Sequence, residues 1–177
     1  LASEALSLEY GDAFGWPVRI NRCGVLAGAR QFGKADQGIF AFWLHSWRER
    51  RPLKYIGFDG HGHQVRDCLH PRDLAALVAL QLQAGDDRSK PRLANVSGGI
   101  SSACSLQQLS GWCTERWGPQ QVSHNPEPRP YDLPWVVLNH AMASSSWGWT
   151  PQISTTTILS EIAAFAEENT NWISVSA

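Results

Sequence analysis

Gln64-Val65-Arg66-Asp67-Cys68-Leu69-His70-Pro71-Arg72-Asp73-Leu74-Ala75-Ala76-Leu77-Val78-Ala79-Leu80-Gln81-Leu82-Gln83 sets a strand directly against a helix. Gln64 to Leu69 reads as a strand that follows a polar loop, Gly57 to His63. Pro71 suits the first turn of a helix, where a missing N–H costs nothing and the fixed φ is already helical. The helix runs to about Gln83, with Leu74, Leu77, Val78 and Leu82 turned inward. Strands and helices alternate in the same way on both sides of this unit, which predicts an α/β or α+β domain.

Upstream, Leu1 to Phe14 is helical by composition, and Gly15 stops it before Trp16-Pro17. Val18-Arg19-Ile20-Asn21 alternates as a strand does. Gly24 to Gly38 is a glycine-rich connection. Asp36-Gln37-Gly38 then opens a helix with Phe40, Trp43, Leu44 and Trp47 on one face, which Pro52 ends before a short strand, Leu53 to Ile56. Downstream, Asp86 to Pro91 is a charged linker, and Leu93 to Val96 a buried strand that ends at Ser97-Gly98-Gly99. Ser105-Leu106-Gln107-Gln108 fits a capping box that opens a helix reaching Gly118-Pro119. Gln120 to Ser123 reads as a strand. His124 to Pro134 holds four prolines and is expected to be extended loop. Ser154 to Glu168 is amphipathic, with Ile158, Ile162 and Phe165 on one face.

The 177 residues are 43% hydrophobic and 18% charged, enough for one folded domain. A net charge of -1 gives no electrostatic reason to expect nucleic acid or an anionic membrane as partner. No apolar run is long enough to span a bilayer, and no secretion signal is expected, since no charged segment followed by an apolar one stands at Leu1. Cys23, Cys68, Cys104 and Cys113 show no CxxC spacing, which predicts reduced core thiols and a cytoplasmic setting. Met142 is the single methionine, and Leu1-Ala2-Ser3-Glu4 starts as helix without a cap. The expectation is a fragment of a longer protein.

Chemistry is sparsely marked. The nine tryptophans could stack on sugar rings, but Trp43, Trp47, Trp112 and Trp117 sit in helices and are expected to fill the core. His61, His63 and His70, with Asp67 and Cys68, lack a recognised ligand spacing, so no metal is expected. No P-loop, nucleophile elbow or kinase loop set is present. Two arginines are more informative: Arg66, in Gln64-Val65-Arg66-Asp67 beside a glycine-rich loop, and Arg129, in Arg129-Pro130-Tyr131-Asp132 on a proline-bracketed one. A planar guanidinium on a rigid loop suits a diphosphate. An ordinary surface ion pair is the competing reading.

Read in order, these pieces resemble a known family: Arg22-Cys23-Gly24-Val25, Arg30-Gln31-Phe32-Gly33, Asp36-Gln37-Gly38, Gln64-Val65-Arg66-Asp67, Asn95-Val96-Ser97-Gly98-Gly99, Arg129-Pro130-Tyr131-Asp132 and Trp147-Gly148-Trp149-Thr150-Pro151. The chain looks like the C-terminal, substrate-binding half of the NAD-dependent epimerase/dehydratase family of extended short-chain dehydrogenases/reductases. The Arg30 to Gly38 stretch resembles its CDP-paratose 2-epimerase branch in particular. The resemblance implies an α/β fold with late strands of a Rossmann sheet. Residues 1–177 would be one substrate-binding region, its first 25 residues a residual Rossmann helix and strand.

The resemblance also implies that Arg66 contacts phosphate and that Arg129 and Asp132 hold the diphosphate and ribose. Gln31, Asp36, Gln37 and Phe40 would build the nucleotide and sugar pocket, and Arg22, Cys23, Gly24 and Val25 would pass the nicotinamide of NAD. The implied partner is a CDP-linked nucleotide-sugar, and a homo-oligomer is compatible. The family's catalytic Tyr-x-x-x-Lys and GxxGxxG do not occur in these 177 residues, so the chain alone is expected to be inactive. Ala27 stands in place of a usual tyrosine, and His63 where lysine is common. A non-catalytic nucleotide-sugar or carbohydrate-binding module and a structural fragment are the competing readings.

Overall fold

The helices that begin at Pro71, Leu106 and Thr155 open on side-chain caps that the sequence provides at His70, Ser105 and Ser154. The structure, a computed structural model, describes residues 1–34 and 37–176. The first helix, α1 (Ala2–Phe14), ends on Gly15 at φ 69°, a left-handed turn that glycine takes without cost. Strands β1 (Ile20–Cys23) and β2 (Val25–Leu26) follow, then α2 (Ile39–Arg48), β3 (Leu53–Ile56) and β4 (Val65–Leu69). The next helix, α3 (Pro71–Gln83), has Pro71 in its first turn, and the His70 imidazole accepts from the Arg72 N–H. After β5 (Leu93–Val96) and β6 (Ala103–Ser105), α4 (Leu106–Trp117) opens on the full capping box: Ser105 Oγ accepts from Gln108 N–H, and Gln108 Oε1 from Ser105 N–H. The chain continues through β7 (Val122–Asn125), β8 (Trp135–Val136), α5 (Ala141–Trp147) and α6 (Thr155–Glu168).

Parallel pairing dominates. Ile20 to Cys23 lie beside Leu93 to Val96, and Leu53 to Ile56 beside Val122 to Asn125. Strand β4 is the hub: it pairs β2 and β8 in parallel and β6 in antiparallel. Parallel strands need crossovers, which the helices supply. The architecture is therefore α/β.

Two apolar clusters hold these layers. The larger packs Phe40, Trp43, Leu44 and Trp47 of α2 against Leu109 and Cys113 of α4 and Ile158 and Ile162 of α6. The smaller gathers Leu69, Leu77, Val96, Trp147 and Trp149. The Trp43 indole donates to Ser110 Oγ at 3.0 Å and the Tyr55 hydroxyl donates to the same oxygen at 2.6 Å. Trp43, Trp47, Trp147 and Trp149 are core, and Trp112 and Trp117 pack against it, whereas Trp16 and Trp135 are exposed.

Four expectations change. Val78 and Leu82 face solvent, because α3 buries Asp73, Leu77 and Gln81, with Gln81 and Asn21 exchanging amide hydrogen bonds. The first strand starts at Ile20, whose N–H takes the Arg92 carbonyl at 2.7 Å, not at Val18. The strand expected over 120–123 lies at Val122–Asn125, so His124 and Asn125 leave the proline loop for the β3 ladder. The glycine-rich connection carries β2, too short to show a period.

Burial also creates a pH dependence. His45 lies inside α2, and its Nδ1 has no hydrogen-bond partner among the described residues. Burial holds its pKa below the ordinary value, with Glu49 opposing and Arg51 reinforcing the shift. The unfolded chain binds this proton near pH 6.5 while the folded chain resists it. Stability is thus fully present above about pH 6.5 and falls as the solution is acidified below it. Melting temperatures from pH 7.5 to pH 5 should fall more steeply for wild type than for His45→Phe. Equal slopes would show that His45 does not contribute.

Candidate functional site

One cleft brings together Gln37, Arg66, Arg129 and Asp132. Its volume is about 570 Å³. Its floor is apolar, with Phe40 and Trp43 from α2, Leu53 and Ile56 from β3, and Leu106 and Leu109 from α4. Gln37 and Gly38 line it too, as do Arg129 to Asp132. Val25, Lys54, Gln64, Arg66 and Cys104 complete the walls.

Strand β4 carries Arg66, which is half-buried. Its Nη2 donates to Asp132 Oδ1 at 2.7 Å, and its Nη1 to the Val65 carbonyl at 2.8 Å. Asp132 is itself placed by a tight turn, in which its N–H donates to the Arg129 carbonyl at 3.2 Å. Pro130 stiffens that turn. The turn brings Arg129 and Asp132, three apart in sequence, to one rim of the cleft. The surface ion pair considered from the sequence does exist, as Arg66 with Asp132, and it lies in the cleft wall. Burial pushes the Cys104 thiol up to about 11, so it is protonated at neutral pH and is no nucleophile. The lining is therefore suited to holding a ligand that is anionic at one end and flat and apolar elsewhere.

Of the residues expected to bind substrate, Gln37, Phe40, Arg66, Arg129 and Asp132 lie on the cleft, as does Val25, which was expected to face the nicotinamide instead. Sequence reasoning and structure part at Gln31, which turns away: its side-chain amide donates to the Leu26 carbonyl at 2.8 Å, and its main-chain carbonyl accepts from the Trp172 indole. Asp36 lies outside the described residues. Arg22, Cys23 and Gly24 line no part of this cleft. Arg22 forks onto the Glu4 carboxylate at 2.7 and 2.6 Å, Cys23 is exposed, and Gly24 sits where a Cβ would come within 2.8 Å of Asp67 Oδ1 and of Ser97. The histidines also divide. His61 neighbours His63 and His124, while His70 bonds Glu161 at 2.9 Å. Among the described residues no group of three or more His, Cys, Asp or Glu stands as a metal site. Lys54, Gln64 and Tyr131 were not singled out, because only the pairing of β3 with β7 and of β4 with β8, on either side of the proline loop, places them together.

Comparison with known proteins gives a consistent result. A model of the NAD dependent epimerase/dehydratase family matches residues 1–97. The CDP-paratose 2-epimerase of Salmonella typhi is 26% identical over 155 residues, covering 86% of this chain and 46% of that protein. The solved UDP-glucose 4-epimerase of Thermus thermophilus, in complex with NAD, superposes with a TM-score of 0.79 at 24% identity, over 94% of this chain and 51% of that one. That of Thermotoga maritima, with UDP-glucose, gives 0.78 at 19% identity, again over 94% and 51%. The chain spans about half the length of the relatives it matches.

Proposed function

Because the chain belongs to the NAD dependent epimerase/dehydratase family, we propose that its cleft binds the nucleoside diphosphate of a nucleotide-sugar and that residues 1–177 serve as the substrate-binding half of a nucleotide-sugar epimerase. The observation that carries this reading is the convergence of Arg66, Arg129 and Asp132 on one apolar-floored cleft, from segments more than sixty residues apart. Arg66 and Arg129 clamp the diphosphate, and Asp132 takes the ribose hydroxyls once Arg66 turns from it to phosphate. Gln37 and Phe40 border the nucleotide and sugar. The likeness to the CDP-paratose 2-epimerase supports a cytidine base.

NAD enters this reading through the family alone. Arg22 is engaged by Glu4, and Gly24 is closed in by Asp67 and Ser97. Residues 22–25 therefore do not fit a dinucleotide by themselves, and no hydride step is derived through them. The chain alone is proposed to be inactive.

A thermal-shift titration tests the clamp. At about 100 times its dissociation constant, a CDP-sugar should stabilise the wild type by roughly 2.7 kcal/mol, and a UDP-sugar by less. Arg66→Lys and Arg129→Lys should each lose most of that shift, because lysine cannot present the planar fork. Equal shifts in all three proteins would rule out this pair as the diphosphate site.

A further inference from the structure

The turn that presents Arg129 and Asp132 has the wrong residue at its apex for its geometry. Its closing hydrogen bond, Asp132 N–H to Arg129 C=O, makes Pro130 the second residue and Tyr131 the third. Tyr131 lies at φ 61°. A turn with proline second and a positive φ third calls for glycine or asparagine at that third place. Bulky side chains are outliers there. The tyrosine is not retained for packing either: it is 102% exposed, and its ring stacks on no other described residue. Yet Tyr131 lines the cleft, between Asp132 and Pro130.

We infer that Tyr131 is a stacking residue for the nucleoside of the bound ligand, standing open in the unliganded chain and closing over the base end of the cleft. The inference rests on the nucleotide reading given above. A strained position that serves no contact in the free protein points to a contact made with something else. An exposed aromatic residue on the same cleft as two arginines supplies what the clamp lacks. The arginines recognise charge, which any diphosphate offers, whereas a flat ring adds affinity only for a ligand with a π-face. The ring is attached to the residue next to Asp132, so it covers the nucleoside and not the far, sugar end. Glycine would make the same turn more easily and would keep Arg129 and Asp132 in place, but it would provide no cover.

The test is calorimetric titration of CDP and of inorganic pyrophosphate into the wild type, Tyr131→Gly, Tyr131→Phe and Arg66→Lys. Tyr131→Gly should melt no lower than wild type, since it relieves the backbone, yet bind CDP about tenfold more weakly. Tyr131→Phe should bind CDP as the wild type does. Pyrophosphate should not distinguish wild type from Tyr131→Gly. Unchanged CDP affinity in Tyr131→Gly, with loss in Arg66→Lys, would overturn this inference and leave the nucleotide reading standing. An equal loss for pyrophosphate would assign Tyr131 to holding the turn and overturn it too. No CDP binding by the wild type would overturn both.

Discussion

Replacing Trp43 with alanine is expected to destabilise the fold by about 4 kcal/mol. The indole is 1% exposed at the centre of the larger core cluster. It stacks on Tyr55 with ring centroids 5.5 Å apart and donates to Ser110 Oγ at 3.0 Å. Alanine removes the buried area, leaves a cavity between α2 and α4, and takes a donor from an oxygen that also accepts from Tyr55. Domains of this size have roughly 5 to 15 kcal/mol of stability, so the loss is a large share of the total. Urea denaturation measures it, and a cost below about 1 kcal/mol would show that the site collapses freely. Trp43→Phe keeps most of the volume and loses only the donor, and should cost about 1 to 2 kcal/mol. Trp43 also lines the cleft, so the alanine variant should lose the CDP-sugar thermal shift as well.

Gly98→Ala should cost about 3 kcal/mol or more, through overpacking. A Cβ at this position would stand 2.1 Å from Ser102 Oγ and 2.3 Å from the Cys68 carbonyl oxygen. The serine could rotate away, but the carbonyl is main chain of β4 and is fixed by that strand's ladders. Relief therefore requires moving the exit of β5 away from the strand that carries Arg66. The double variant with Ser102→Ala removes the hydroxyl contact alone: it should recover only part of the loss, since the carbonyl clash and the Ser102 Cβ at 2.7 Å remain. Full recovery would show that the hydroxyl alone defines the fit.

The extent to which this molecule can be read from its sequence follows from where the information resides. The capping box at Ser105 and the proline start of α3 are local chemistry, and both are as expected. Burial on α3 is not local. Its pattern of leucines and valine points to one face, but the Asn21–Gln81 amide pair draws a neighbouring face inward and leaves Leu82 at 76% exposure. Helix α5, with Ala141, Met142, Ala143 and a run of serines, has no apolar period to betray it. At the cleft, Arg66 and Arg129 were marked by guanidinium chemistry beside a glycine-rich loop and on a proline-bracketed one. Lys54 and Tyr131 became visible only once β3, β4 and the proline loop were brought side by side. Gln31 shows the opposite failure: a residue selected by resemblance for a pocket is used to fasten its own loop to Leu26 and Trp172.

The register of the strands also sets a timescale. Ile20 finds Leu93, Leu53 finds Val122, and Val65 finds Trp135, each across about 70 residues of intervening chain. Closing such spans costs entropy before any ladder bond rewards it, so the rate-limiting search is for distant partners and not for helix formation. Helices α3 and α4 can form within microseconds, while the sheet that positions Arg66 belongs to the slow, high-contact-order regime of milliseconds to seconds. During that interval β4 exposes its unpaired main-chain groups. The hub of the finished structure is thus the most aggregation-prone segment of the nascent one, and refolding yield should improve with dilution.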